Sequence, residues 1–134
     1  MRLVVLAVLG LSCLAACAPS TPPSITGTWH IKYVNDTPVT VPEGRTAEFT
    51  LSDDHTFSAS IGCNQISGDY QLDGLELVFT TGPMTRMACP PPLDALETAL
   101  LDAMAMINSY KVDLGELHLL TDDASVVILD RDGH

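Results

Sequence analysis

Four cysteines are the residues of this chain best able to do chemistry, and their positions divide them into two classes. Cys13 and Cys17 lie at the end of an apolar N-terminal stretch, whereas Cys63 and Cys89 lie in the body of the chain. In an oxidising compartment, two cysteines left to one domain read most simply as a disulfide. Closing the 27-residue loop from Cys63 to Cys89 would stabilise the fold by roughly 3.5 kcal/mol in the chain-entropy picture. The alternatives are a reactive thiol, as in a thiol hydrolase, or a metal site completed by histidine. Neither cysteine has a CxxC or HxxxC partner.

Other chemistry is sparse. His30, His55, His118 and His134 are scattered, without zinc spacing. His30 and His118 alternate with apolar neighbours, which predicts that both face solvent. Ser60 near Ile61-Gly62 forms no GxSxG elbow. Asp53-Asp54 and Asp122-Asp123 read as turns, since EF-hand spacing is missing. With no nucleophile–base pair or convergent carboxylates, the sequence predicts no enzyme, no cofactor and no metal.

The N-terminus carries an address. Arg2, then Leu-Val-Val-Leu-Ala-Val-Leu-Gly-Leu over 3–11, then small residues, form a secretory signal over 1–16. The run is too short for a permanent membrane helix, which needs ~20 apolar residues. Leu14-Ala15-Ala16-Cys17 resembles the lipobox of bacterial lipoproteins, which implies that Cys17 is acylated and becomes the first mature residue. Several acyl chains anchor firmly where one anchors only marginally. A proline-rich tether runs to Ser24 (17–24); seven residues reach at most ~23 Å, so the domain sits close above the membrane. Ala18 stands where an inner-membrane retention aspartate would stand, which by resemblance to the enterobacterial sorting rule favours the outer membrane, facing the periplasm.

Cleavage after residue 16 removes Arg2 and no acid, leaving 17 acids against five bases, a charge of −12. Phosphate-backbone binding needs clustered Lys and Arg, so nucleic acid is not an expected partner. Anionic lipid also repels such a domain, so the acyl group, not charge, holds it at the membrane.

The elements that must position these residues are mostly strands. Alternating apolar positions predict strands around Trp29–Tyr33, Ala47–Leu51, Phe57–Ile61, Tyr70–Leu72, Leu75–Phe79, Tyr110–Val112, Leu117–Leu119 and Val126–Ile128. Asp73-Gly74 signals a tight hairpin. Between Pro90-Pro91-Pro92 and the last three strands, Leu96, Leu100, Met104 and Ile107 recur at helical spacing, predicting a helix over 94–107. Asp94 and Glu97 have capping-box spacing at its start. The expected fold is mainly β: a small antiparallel barrel-like domain over 25–134, of about eight strands, with one helix before the last three.

Gly62-Cys63-Asn64, Ser67-Gly68, Tyr70, Thr85-Arg86-Met87-Ala88-Cys89 and Glu97, with Gly27-Thr28-Trp29 at the start and an aliphatic strand before Arg131, resemble the META domain, or HslJ-like, family over about residues 25–131. Gln65 departs from the pattern, where a bulkier or more basic residue is expected. The resemblance implies a small barrel-like fold, often an envelope lipoprotein. Some members are linked to heat stress and to novobiocin tolerance, and no reaction or substrate comes with the family.

Read physically, the motifs build the fold. Gly62 and Gly68 would adopt backbone conformations closed to other residues, and Asn64 would bond neighbouring amides in a turn. Arg86, a lone arginine in an acidic domain, would pair with Asp69 or Glu97, with a carboxylate or anion ligand as the alternative. The expected function is a monomeric, lipid-anchored, non-catalytic envelope module that supports stress or drug tolerance through a protein or ligand contact. The alternatives are a barrel carrying a lipid or hydrophobic ligand, and a protease inhibitor using the exposed 90–92 loop.

Overall fold

The computed structural model describes residues 15–132. The signal-peptide reading over 1–14, including Arg2 and Cys13, and His134 at the other end, lie outside the described residues. Nine antiparallel strands form one sheet: β1 (Gly27–Val34), β2 (Thr37–Pro38), β3 (Glu48–Leu51), β4 (Thr56–Ser60), β5 (Ile66–Asp73), β6 (Glu76–Met84), β7 (Ser109–Asp113), β8 (Glu116–Thr121) and β9 (Ala124–Asp130). The helix α1 (Leu93–Met106) stands between β6 and β7, before the last three strands. Mainly β structure with this helix placement is what the alternation predicted. The additional strand is β2, whose two residues are too few to show a period.

The sheet returns on itself. Consecutive strands pair in order from β3 to β9, and β1 joins both ends, pairing with β3 through Gly27–His30 and with β9 through His30–Val34. Where β3 leaves β1, the short β2 takes its place, with Tyr33 opposite Pro38. A ring of this kind leaves few unpaired edges. Its weakest seam is β6–β7, joined by the ladder pair Glu76–Ser109 and by bonds from Leu77 N to Asn108 O and Tyr110 N to Leu75 O. The helix α1 packs against β1, β6 and β9, burying Leu93, Leu96, Leu100, Ala103 and Met104.

Alternation along the strands sends one face inward. Trp29, Ile31, Phe49, Leu51, Phe57, Ala59, Leu77, Leu117, Leu119, Val127 and Leu129 are all buried. The three phenylalanines meet inside: Phe49–Phe57 ring centroids are 5.7 Å apart, Phe49–Phe79 5.4 Å and Phe57–Phe79 5.1 Å. Aromatic pairs at such distances add to the burial of their area. Trp29 Nε1 donates to Ile25 O at 2.8 Å, while the Arg131 guanidinium lies 4.1 Å from its ring centroid and donates to Thr26 O. These contacts fix the point where the tether enters the ring.

On the outer face, a polar group ties the β1–β9 closure. Lys32 Nζ lies 2.9 Å from Glu116 Oε1 and 3.3 Å from Asp130 Oδ2. His118 contacts Glu116 at 3.4 Å and Ser125 Oγ at 3.0 Å. The bonds to Glu116 and Asp130 raise the Lys32 pKa, and the bond from Lys32 lowers that of Glu116. His118 therefore does not simply face solvent, as alternation alone predicts; its side chain is 13% exposed, and His30 is half-buried. Polar neighbours on the outer face of a ring can cover a side chain as effectively as a core does.

Two further expectations change. The β5–β6 hairpin turns at Gly74-Leu75, one residue later than Asp73-Gly74, because Asp73 is already paired with Glu76. Gly68 has an ordinary backbone conformation, unlike the positive φ expected of it. A Cβ there would stand 2.1 Å from Thr80 O and 2.9 Å from the Phe57 ring. Glycine is required by the close approach of β6 at a bulge. Gly68→Ala should therefore destabilise by about 1–3 kcal/mol in urea unfolding. Gly82→Ala, whose nearest contact is an ordinary 3.4 Å, should change the midpoint little; equal effects would contradict the packing explanation.

Candidate functional site

The β4–β5 loop, the β6–α1 loop and α1 converge on Asn64. The two loops are first joined covalently: Cys63 and Cys89 are bonded, with S–S 2.07 Å and Cα–Cα 6.0 Å. The pairing favoured by the count of cysteines is present, so neither sulfur is a free nucleophile. Gly62, at φ +94°, lets the chain turn into this loop. Its carbonyl accepts from Arg45 Nη1 at 2.7 Å, and its N–H donates to Ser60 Oγ at 3.1 Å.

Asn64 is 3% exposed, and its side chain makes no local turn of the kind its type suggests. It reaches across 23 residues instead. Oδ1 accepts from Met87 N at 2.7 Å and from Thr85 Oγ1 at 3.0 Å. Nδ2 donates to Glu97 Oε1 at 2.8 Å and Met87 O at 3.0 Å, and lies 3.2 Å from Cys89 Sγ. The Asn64 backbone N–H donates to Glu97 Oε2 at 3.0 Å. Both carboxylate oxygens of Glu97 thus face donors of one residue. Thr85 Oγ1 also accepts from Gln65 N at 2.9 Å, so the departure at Gln65 leaves this bonding intact: its backbone engages, while its side chain is exposed.

Glu97 is not the capping residue that its spacing from Asp94 predicts. The helix begins one residue earlier, at Leu93, with Pro92 at the cap position and no side-chain cap. Leu93 N instead donates to Pro90 O, and Leu96 N to Pro92 O. The prolines set the start; the Asp94 carboxylate accepts from Ala95 N and its carbonyl from Thr98 Oγ1. Glu97 is 8% exposed, on the stripe of Leu93, Leu100 and Met104. A buried carboxylate needs donors, and Asn64 supplies them.

The remaining motif residues lie elsewhere. Tyr70 is buried in β5, its hydroxyl donating to Ser52 O at 2.6 Å and its ring stacked on His55 at 5.3 Å. Burial raises its pKa, helped by Asp53 and Asp54. It braces the β3–β4 turn at the end of the ring away from Asn64. Gly68 belongs to the ring wall. Arg86 is exposed and pairs with neither Asp69 nor Glu97, among the described residues; Glu97 is already committed to Asn64. Cys17 is exposed and outside the disulfide, on the irregular segment before the domain.

This cluster can hold parts together more readily than it can react. Cys63, Cys89 and Glu97 place ligand-type atoms within 4.8 Å of one another, but sulfurs joined in a disulfide offer no thiolate to a metal. The sequence reading missed the Asn64–Glu97 pair; its visible signal is an acid set into the apolar stripe of α1. Asn64→Ala should leave Glu97 Oε1 without its donor, while the backbone N–H of residue 64 still meets Oε2, and cost about 1–3 kcal/mol in urea unfolding. The double variant Asn64→Ala/Glu97→Ala should lose at least about 1 kcal/mol less than the sum of the single losses. Additive losses would contradict a direct pair.

Similarity to known proteins agrees with this geometry. No curated protein matches the chain. Three solved structures do, among them one determined by NMR, at 25% identity and TM-score 0.60, covering 75% of this chain and 86% of that one. Another NMR structure, of a protein from Burkholderia xenovorans, is 30% identical at TM-score 0.58, with 80% and 82% covered. A crystal structure of a DUF4847 family protein from Bacteroides vulgatus, at 19% identity and TM-score 0.54, with 78% and 89% covered, shares the fold. The META domain model matches residues 23–133, spanning the ring, the bridged loops and the helix, and the chain therefore belongs to the META domain family.

Proposed function

We propose that this chain is a lipid-anchored, non-catalytic protein of the bacterial cell envelope, held through Cys17 at the outer membrane and facing the periplasm. In this reading it supports tolerance of stress or of novobiocin-type antibiotics through contacts with an envelope protein. The observation that carries the reading is the pairing of an exposed Cys17 on a proline-rich tether with a motif whose polar groups are spent on one another. Asn64, Thr85 and Glu97 are saturated by internal bonds, which suits a scaffold. A disulfide-bridged domain also suits an oxidising compartment.

A ligand-binding reading is favoured by a groove on the outside of the ring. The buried side chains of the ring form one apolar cluster, which lends a lipid carried inside no support. An open groove of about 540 Å³ lies outside, between β1 and the segment after β2, where Lys32, Arg45 and His30 stand beside Tyr33, Val39 and Val41. Its volume is that of a small-ligand site, although Lys32 is already paired with two carboxylates.

Intact mass of the protein from cell membranes should show a chain beginning at acylated Cys17. Deleting the gene should raise sensitivity to novobiocin and to heat, and the acylated protein should restore tolerance where Cys17→Ala does not. Unchanged sensitivity on deletion would contradict the physiological role, and an unacylated chain retaining Met1 would contradict the anchor.

A further inference from the structure

From the leucines at one end of the ring, we infer that this end rests on the membrane, with Leu75 and Leu114 dipping into a zwitterionic phospholipid surface. The inference rests on the lipid-anchor reading above and adds the orientation of the domain.

Two-residue hairpin turns stand at both ends of the ring, and their composition differs. At the end away from the tether they are Asn35-Asp36, with φ 46° and 62°, and Asp122-Asp123, with φ 46° and 69°. Both suit turns that require positive φ at two central positions. At the other end the turns are Gly74-Leu75 and Leu114-Gly115. Leu114 has φ 50° and is 99% exposed. It is a bulky residue in a conformation that disfavours it, with its apolar side chain fully in water. Leu75 is 54% exposed and Leu72 37%. Turn chemistry explains the acidic tips and leaves the leucine tips without a reason inside the fold.

The tether arrives at the leucine end. Pro22, Pro23 and Ser24 line one hollow with Leu72, Gly74 and Tyr110. β7 runs from Ser109, opposite Glu76, past Tyr110, bonded to Leu75, and on to Asp113. Leu114 therefore stands beyond the Gly74-Leu75 turn on the same side. A tether of at most ~23 Å from an acylated Cys17 keeps that end near the lipid. An amphipathic surface seated at the interface buries apolar side chains about 5–10 Å into the headgroup region. Asp53 and Asp54 in the β3–β4 turn, with Asp73 and Asp113 flanking the leucine turns, carry charge at this end. They would be repelled by anionic lipid, so a zwitterionic surface is the fitting one.

The test uses the full acylated protein purified from membranes and reconstituted into phosphatidylcholine–phosphatidylethanolamine vesicles with brominated acyl chains. Leu114→Trp and, separately, Leu75→Trp should lose fluorescence relative to unbrominated vesicles. Asp122→Trp at the opposite end should not, and the buried Trp29 is a background common to all three. Intact mass of the same samples reads the acyl group at Cys17. Acylated protein in which neither leucine-site tryptophan is quenched more than Asp122→Trp would overturn the orientation alone. A chain without acyl mass would overturn the anchor and the orientation with it.

Discussion

A carboxylate taken out of water must be met by donors, and the site of this domain is organised around that requirement. Glu97 sits on the apolar stripe of α1 and is met by the backbone and side chain of Asn64. The same amide holds Thr85 and Met87 with its oxygen. Three segments distant in sequence thereby acquire one fixed relation, which the Cys63–Cys89 bridge reinforces. Removing one partner of such a buried pair costs more than the pair contributes, because the survivor is left unsatisfied. The arrangement specifies where the β6–α1 loop lies and where the helix begins to pack.

That placement matters because the ring is least continuous there. β6 and β7 share a short junction, and the helix that connects them in sequence packs against β6, β1 and β9. The other closure, β1 with β9, has an uninterrupted core beneath it and the Lys32–Glu116–Asp130 group outside. One seam is thus closed by packing and a buried polar clamp, the other by ladder bonds and a partly exposed ion group. The two ends of the ring differ as well. The clamp shares one end with the Asn35-Asp36 and Asp122-Asp123 turns, and the tether and the leucine turns share the other with Asp53-Asp54.

The fold was legible in the sequence where alternation is strict. Trp29-His30-Ile31 and Leu117-His118-Leu119 place their apolar members inward, and the period change at Leu96–Met104 marks the helix. The clamp was legible only in part. The cysteines announce their bridge by number and compartment, but Asn64 suggests a local turn because that is how asparagine most often satisfies itself. Glu97 mimics a capping box because Asp94 stands three residues before it, while the preceding prolines settle the helix start. Gly68 reads as a backbone exception, although the constraint is a carbonyl of β6. In each case the deciding partner lies many residues away, where residue type and spacing carry no information. Arg86 goes the other way: burial would have demanded a partner, and the residue is exposed.

Asn64 and Glu97 hold the Cys63 and Cys89 loops in one fixed arrangement. Residue-resolved amide hydrogen exchange tests it most directly. The amides of Asn64 and Met87, which donate to Glu97 and to the Asn64 side chain, should exchange far more slowly than those of Arg86 and Ala88 beside them. Glu97→Ala should remove the protection of Asn64 while leaving the β3–β4 amides protected. Exchange of Met87 as fast as that of Arg86, with the disulfide intact, would contradict the account.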